Sequence, residues 1–333
     1  MAACKKDASH SSINNVDAYF CGYVNKPMGG METLYWKNNE PVKLTDSFYN
    51  CQAFAIAVNG PDVYVAGDED DVVYRPSYLG DSTLQTEAIY WKNGIPIKLS
   101  SLTSHAKAIV VNGNDVYVAG SINGNAVYWK NGMVINLPDS SSTSTAYGIT
   151  VVGSDIYVVG TSNETYPSPA VATYWKNGVV TYLKGNYYFT YASAITVSGN
   201  DVYITGITSI SGYHPIATYW KNGVPVPLTD NTVLSYATAI AVSGPDVYVA
   251  GSISYLSGYN GTNASLYTAA YWKNGVVNKL VSSFGAFAIA VTGKDIYVGG
   301  YSDSSRSIYW KNKIPIKLHP NYGPVTGVAL VSH

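Results

Sequence analysis

The chain has 333 residues, of which 47% are hydrophobic and only 12% charged, about half the charged share usual in globular proteins. A net charge of −1 argues against a nucleic-acid partner, which needs a basic face, and no apolar run reaches the roughly 18 residues of a membrane-spanning helix. Tyrosine and glycine, at 31 residues each, take up the difference, and with Ser, Thr and Asn they suit an exported β-protein better than a cytosolic enzyme.

Residues 1–15 read as a polar tether. Cys4 stands in Met1-Ala-Ala-Cys-Lys-Lys-Asp, which resembles the junction of a bacterial lipoprotein. That resemblance implies a lipid on Cys4, export, and an outer-membrane anchor on the periplasmic or outer surface that does not span the bilayer. From residue 16 onward two motifs alternate. Asp-x-Tyr begins at Asp17, Asp62, Asp115, Asp155, Asp201, Asp246 and Asp295, and all seven tryptophans fall in Tyr-Trp-Lys, from Trp36 to Trp310. Successive copies lie about 40 to 53 residues apart, the length of a propeller blade.

Each unit reads as four short strands. The first alternates small and large residues, Ala53, Ala55 and Ala57 against Phe54, Ile56 and Val58, which predicts a strand packed on both faces. The third strand ends in Asn-Gly in five copies, the strongest short hairpin signal, because both residues of a type I′ turn need positive φ. Asn38-Asn39 and Asn312-Lys313 replace it at the two ends of the array, and lysine is strained there. The first unit opens directly at Asp17 and lacks its innermost strand, whereas Val325–Leu330 supplies a strand with nothing after it. The expected fold is therefore all-β: a seven-bladed propeller over residues 16–333, with four-stranded antiparallel blades and blade one closed by the C-terminal strand.

The layout Ala-x-Ala-Ile-x-Val, then Gly, then Ala-x-Tyr-Trp-Lys-Asn-Gly resembles the bacterial extracellular HAF repeat family, with a looser echo of kelch repeats in Ile296-Tyr297-Val298-Gly299-Gly300. Tyr-Trp stands where HAF repeats carry His-Ala-Phe, and kelch repeats separate these aromatics. The resemblance implies export and a propeller-like fold, and no activity.

Features present seven times build blades, so a binding site is expected where the symmetry breaks. By this test the repeated Asp residues bond their own turns and the repeated lysines are solvated. The long second-to-third and blade-to-blade connections share one face, the candidate binding face; its longest loops are residues 68–87 and 252–268. The second residue of each innermost strand varies, as Phe54, Lys107, Tyr147, Ser193, Thr238, Phe287 and Thr326, and is expected to ring the mouth of the central channel. Arg75 and Arg306, the two arginines of the chain, lie on the same face and suit carboxylate or phosphate. So do Tyr78, Tyr187, Tyr188, Tyr191, Tyr213, His214, Tyr236, Tyr255, Tyr259, Tyr301 and Tyr322, where Tyr offers a plate for sugar rings or proteins.

No cofactor is expected, although Asp68, Asp70 and Asp71 of an acidic run have the oxygen chemistry of a Ca²⁺ site. Cys21 and Cys51 both point towards the variable face, where a disulfide is geometrically feasible in an exported protein. The histidines, His10, His105, His214, His319 and His333, show no metal spacing, and no nucleophile motif appears. Three readings stay open. The favoured one is a monomeric, non-catalytic module binding a glycan or envelope protein; the others are a propeller glycoside hydrolase or lyase, and a structural component of the envelope.

Overall fold

The Asn-Gly turns explain most of the repeat. Asn93 has φ 51° and Gly94 83°, the left-handed pair that a type I′ hairpin requires. The asparagine side chain then binds back: Oδ1 accepts the Val63 N–H at 2.8 Å and Nδ2 donates to Asp62 at 2.7 Å. Antiparallel pairing sets Tyr64 opposite Lys92, so the ammonium reaches Asp62 at 2.9 Å and lies over the Tyr64 ring. The same Asp–Asn–Lys–Tyr clasp recurs in every blade, with Lys–Asp distances of 2.7 to 3.3 Å. This corrects the sequence reading. The carboxylates serve the neighbouring hairpin rather than their own turn, and the lysines are paired rather than merely solvated.

The computed structural model describes residues 16–26, 30–45, 50–74, 82–163, 169–210, 214–255, 267–281, 283–302, 306–319 and 323–333, without the side chains of 71–74, 82–84 and 255. Cys4 and the tether lie outside them. Blade one holds β1 (Val16–Asn25), β2 (Met31–Lys37) and β3 (Glu40–Lys43); blade two holds β4 (Cys51–Asn59), β5 (Asp62–Tyr74), β6 (Ser82–Lys92) and β7 (Ile95–Lys98). Blade three runs β8 (Ser104–Asn112), β9 (Asp115–Ile122), β10 (Asn125–Lys130) and β11 (Met133–Asn136). Blade four runs β12 (Thr143–Val152), β13 (Asp155–Asn163), β14 (Val171–Lys176) and β15 (Val179–Tyr182). Blade five runs β16 (Phe189–Ser198), β17 (Asp201–Ser209), β18 (Ile216–Lys221) and β19 (Val224–Pro227). Blade six runs β20 (Val233–Ser243), β21 (Asp246–Tyr255), β22 (Thr268–Lys273) and β23 (Val276–Lys279). Blade seven runs β24 (Ser283–Thr292), β25 (Asp295–Ser302), β26 (Ser307–Lys311) and β27 (Ile314–Lys317).

The last strand, β28 (Val325–Ser332), pairs antiparallel with β1, giving the sheet order β28-β1-β2-β3. Head and tail thus share one sheet, and the chain is a seven-bladed β-propeller.

Every tryptophan is at most 1% exposed, packed between its own blade and a neighbour. Trp36 and Trp175 also donate their indole N–H to carbonyls of the preceding connections, His319 at 2.8 Å and Pro138 at 2.9 Å. Removing such a ring costs about 3–5 kcal/mol, which accounts for its presence in all seven blades. A hydroxyl at the head of an inner strand adds a second lock: Ser104, Ser144, Thr190, Ser235 and Ser283 each accept an N–H from the previous blade.

Two elements differ from the sequence reading. Residues 68–74 and 82–88 form no loop; they extend the β5–β6 hairpin, with Asp68 opposite Ala88 and Tyr74 opposite Ser82. Cys21 and Cys51 are both buried and form no disulfide among the described residues. Burial pushes the Cys21 thiol up to about 12, against weaker hydrogen bonds led by that to Thr326. Cys51 contacts Glu69 instead.

Candidate functional site

The inner strands carry the site because each contains a β-bulge at one place. In β4, Ala53 pairs with Gly67 and Ala55 with Ala66, so Phe54 between them has no partner. The skipped residues of the other blades are Lys107, Tyr147, Ser193, Thr238, Phe287 and Thr326. They are the seven varying positions. A bulge turns one side chain out of the pleat, so the alternation read from the sequence breaks here. Ala53 and Ala55 fall on opposite faces, and Phe54 leaves the face that Ile56 packs.

Each bulge pushes a carbonyl towards the second strand, and glycine is what admits it. A Cβ at Gly67 would lie 2.0 Å from the Gln52 oxygen, and one at Gly206 would lie 1.9 Å from that of Tyr191. The same approach occurs at Gly22, Gly120, Gly160, Gly251 and Gly300. A glycine five residues after every repeated Asp was the sequence signal for the bulge.

All seven bulged side chains line one central cavity of about 560 Å³, together with Tyr23, Thr161, Tyr191, Ala192 and Pro324. Since each bulge lies near the start of its inner strand, the cavity opens to the face of long connections. Two members of the ring serve the frame. The Thr238 hydroxyl donates to the Ala286 carbonyl of the next blade at 2.8 Å, and Thr326 to that of Ala53 at 2.8 Å. Phe54, Tyr147, Tyr191 and Phe287 present aromatic surface, and the last three are each 37–39% exposed. Burial raises the pKa of the Tyr147 phenol against an opposing Thr145 hydrogen bond, and burial likewise raises that of Tyr23. Both therefore stay neutral donors at ordinary pH.

The polar end of the cavity is organised by Asp68, which is only 7% exposed. Its carboxylate accepts the Ala106 N–H at 2.8 Å and the Lys107 ammonium at 2.7 Å, and it contacts His105 Nδ1 at 2.7 Å. Lys107 in turn sits 3.7 Å above the centre of the Phe54 ring. The ammonium of the ion pair is thus held over one face of an aromatic ring. Among the described residues lining the cavity there is no carboxylate, and Asp68 bears on it through its bond to Lys107.

Of the expected metal residues, Asp68 and Asp70 have separate partners. Along β5 successive side chains alternate in direction. Asp68 turns to blade three, Glu69 with Glu87 meets Lys98, and Asp70 accepts the Thr86 hydroxyl across the hairpin. The Asp71 side chain lies outside the described residues, among which no three His, Cys, Asp or Glu side chains are grouped as a metal site.

Phe54, Lys107, Tyr147 and Phe287 therefore come together with Tyr191, while four other described candidates, Tyr187, Tyr188, His214 and Arg306, lie elsewhere. Tyr187 and Tyr188 border a separate hollow of about 170 Å³. Arg306 closes the β25–β26 connection, its backbone N–H on the Ser302 hydroxyl, and His214 precedes β18 with Nδ1 buried and no hydrogen-bond partner among the described residues. Arg75, Tyr78, Tyr213, Tyr259 and Tyr322 lie outside the described residues, as does the side chain of Tyr255. Sequence reasoning missed His105, Tyr23 and the role of Asp68, all set beside the bulges.

No protein-family model matches the chain, and no curated protein matches it. Solved structures resemble it weakly. A puromycin-hydrolysing peptidase of Mycobacterium tuberculosis aligns at 11% identity and TM-score 0.49 over 80% of this chain and 46% of its own, so the chain spans less than half of that protein. The extracellular domains 1–2 of Drosophila semaphorin 1a align at 10% identity and TM-score 0.40, over 77% of this chain and 75% of theirs. A Bombyx mori GH32 β-fructofuranosidase aligns at 11% identity and TM-score 0.36, over 95% of this chain and 88% of its own. Likeness of this grade carries no activity to the chain.

Proposed function

We propose that the protein is a non-catalytic saccharide-binding propeller that seats an uncharged sugar ring in the central cavity. The observation that carries this reading is the bulge ring, where seven equivalent backbone positions deliver a mixed set of side chains into one cavity. A volume of about 560 Å³ falls within the roughly 300–1,000 Å³ of small-molecule sites. Aromatic plates at Phe54, Tyr147 and Phe287 suit the apolar faces of a pyranose, and neutral phenols suit its hydroxyls. Lys107 and Asp68 largely neutralise one another, which favours a polyhydroxylated ligand over an ion. Hydrolysis by paired carboxylates needs two such groups flanking the bond, and the described residues of the cavity lining supply none. Display from the cell envelope through lipid on Cys4 fits this role and is part of the proposal.

Calorimetry against a panel of neutral mono- and oligosaccharides tests it. At least one should bind, and Phe54→Ala and Tyr147→Ala should each weaken it about tenfold, a loss of about 1.4 kcal/mol, with unchanged melting. A panel without binders, or variants that bind as the parent does, would overturn the reading.

A further inference from the structure

Blade seven departs from the other six in a way the central cavity does not explain. Its inner strand β24 has two bulges, one between Ser283 and Gly285 and one between Ala286 and Ala288. The second places Phe287 in the ring. The first is an extra, and it leaves Phe284 unpaired as well, 37% exposed beside Phe287 at 38%. Gly285 separates them without a side chain; a Cβ there would meet the Phe287 ring at 3.1 Å. The two phenylalanines, with Tyr236, Tyr267 and Ser252 from blade six, bound a groove of about 310 Å³. Its far wall is fixed, since Tyr236 and Tyr267 meet edge to face at 5.7 Å. Burial, then a hydrogen bond with Tyr267, pushes the Tyr236 phenol up to about 12, so this wall stays uncharged.

Phe287 is common to this groove and to the central cavity, so the two spaces adjoin across one aromatic ring. We infer that the groove is a second saccharide subsite, taking the unit next to the one in the central cavity. The protein then recognises the end of a chain at least two sugars long, running from the propeller axis out between blades six and seven. The inference rests on the saccharide reading of the cavity and adds length and direction to it. A bulge conserves no strand pairing and turns a side chain outward; a second one, three residues from the first and only in this blade, serves to lay Phe284 along the groove. Its wide aromatic lining, whose hydroxyls are Ser252 and the two phenols of Tyr236 and Tyr267, suits the face of a sugar ring better than a charged group.

The test compares monosaccharides with their own di- and trisaccharides, using neutral glucose, galactose and N-acetylglucosamine series, by calorimetry on the full chain. The disaccharide of the bound series should bind about tenfold or more tightly than its monosaccharide, a difference of the size one aromatic contact supplies. Phe284→Ala should remove most of that difference and leave monosaccharide binding unchanged; Ser252→Tyr, which fills the groove without deleting a packed ring, should do the same. Equal affinity for all lengths, or an equal loss for all lengths in both variants, would overturn the subsite while the central site stands. Absence of binding throughout would remove the central site and this inference with it.

Discussion

At the short-turn end of each blade the Asp–Asn–Lys–Tyr clasp appears seven times with the same partners. At the other end of the inner strands, one backbone position with the same bulge in every blade holds phenylalanine, lysine, tyrosine, serine or threonine. The difference lies in what the side chain does there. In the clasp the side chain completes the turn, so its identity is fixed by geometry. At the bulge the backbone makes the shape, through a carbonyl seated on a glycine, and the side chain is released into the cavity.

The largest expected effect sets these two conditions against each other within one blade. Gly206→Ala places a Cβ 1.9 Å from the Tyr191 carbonyl oxygen and 3.0 Å from the Ala192 Cα, both backbone atoms that cannot step aside. Urea unfolding should show a loss of about 3 kcal/mol or more. Ser193→Ala, at the bulge that this glycine supports, should change stability by less than about 0.5 kcal/mol. Comparable losses from both would mean that the varying ring is structural after all.

A smaller effect separates the two ends by pH. Lys221 first, and then the Asn222 amide, hold the Asp201 carboxyl below its ordinary value of 3.8, and the carboxylates of the other six clasps are lowered in the same direction. A group whose folded pKa is depressed adds stability above its unfolded value and loses it as pH falls through the folded value. Melting temperature should therefore fall below about pH 4, where the unfolded chain takes up protons first. Asp201→Asn should make that acid limb shallower, and Tyr147→Phe in the cavity should leave its slope as it was. The lysines act in the other direction. Hydrogen bonds that the Lys130 ammonium donates to Asp115 and Tyr117 raise it to about 12, so its contribution holds below 10.5 and fades as pH climbs towards 12.

The fold was legible because its demands are local and repeated. Tyr-Trp-Lys, Asn-Gly and Asp-x-Tyr each mark a strand end, and the unmatched Val325–Leu330 segment closes the ring by simple counting. The mouth of the channel was legible for the complementary reason, since Phe54, Lys107 and Tyr147 vary where their neighbours do not. What the sequence concealed was set by register. Alternation of Ala53, Phe54, Ala55 and Ile56 looks like an unbroken strand, and only the pairing across Gly67 exposes the skipped residue. Asp68 was concealed in the same way: its acidic neighbours suggested a solvated loop, whereas the extended hairpin sends alternate carboxylates to different partners. Its bond to Lys107 crosses between blades, which no spacing within one repeat announces.

The smallest expected effect probes the turn end alone. Lys313 occupies the second position of its hairpin with φ 70°, where five blades have glycine, and Asn39 stands at 76° in blade one. Left-handed backbone costs a residue with a long side chain roughly 1–2 kcal/mol, whereas asparagine tolerates it through local hydrogen bonding. Lys313→Gly relieves that cost, and the greater freedom of glycine in the unfolded chain returns about 0.5–1 kcal/mol of it. The net gain expected in urea unfolding is about 0.5–1 kcal/mol, and the same change at Asn39 should gain less. A destabilised Lys313→Gly would show that this turn does not impose the left-handed geometry, and with it would fall the claim that positive φ selects glycine at the second position of these turns.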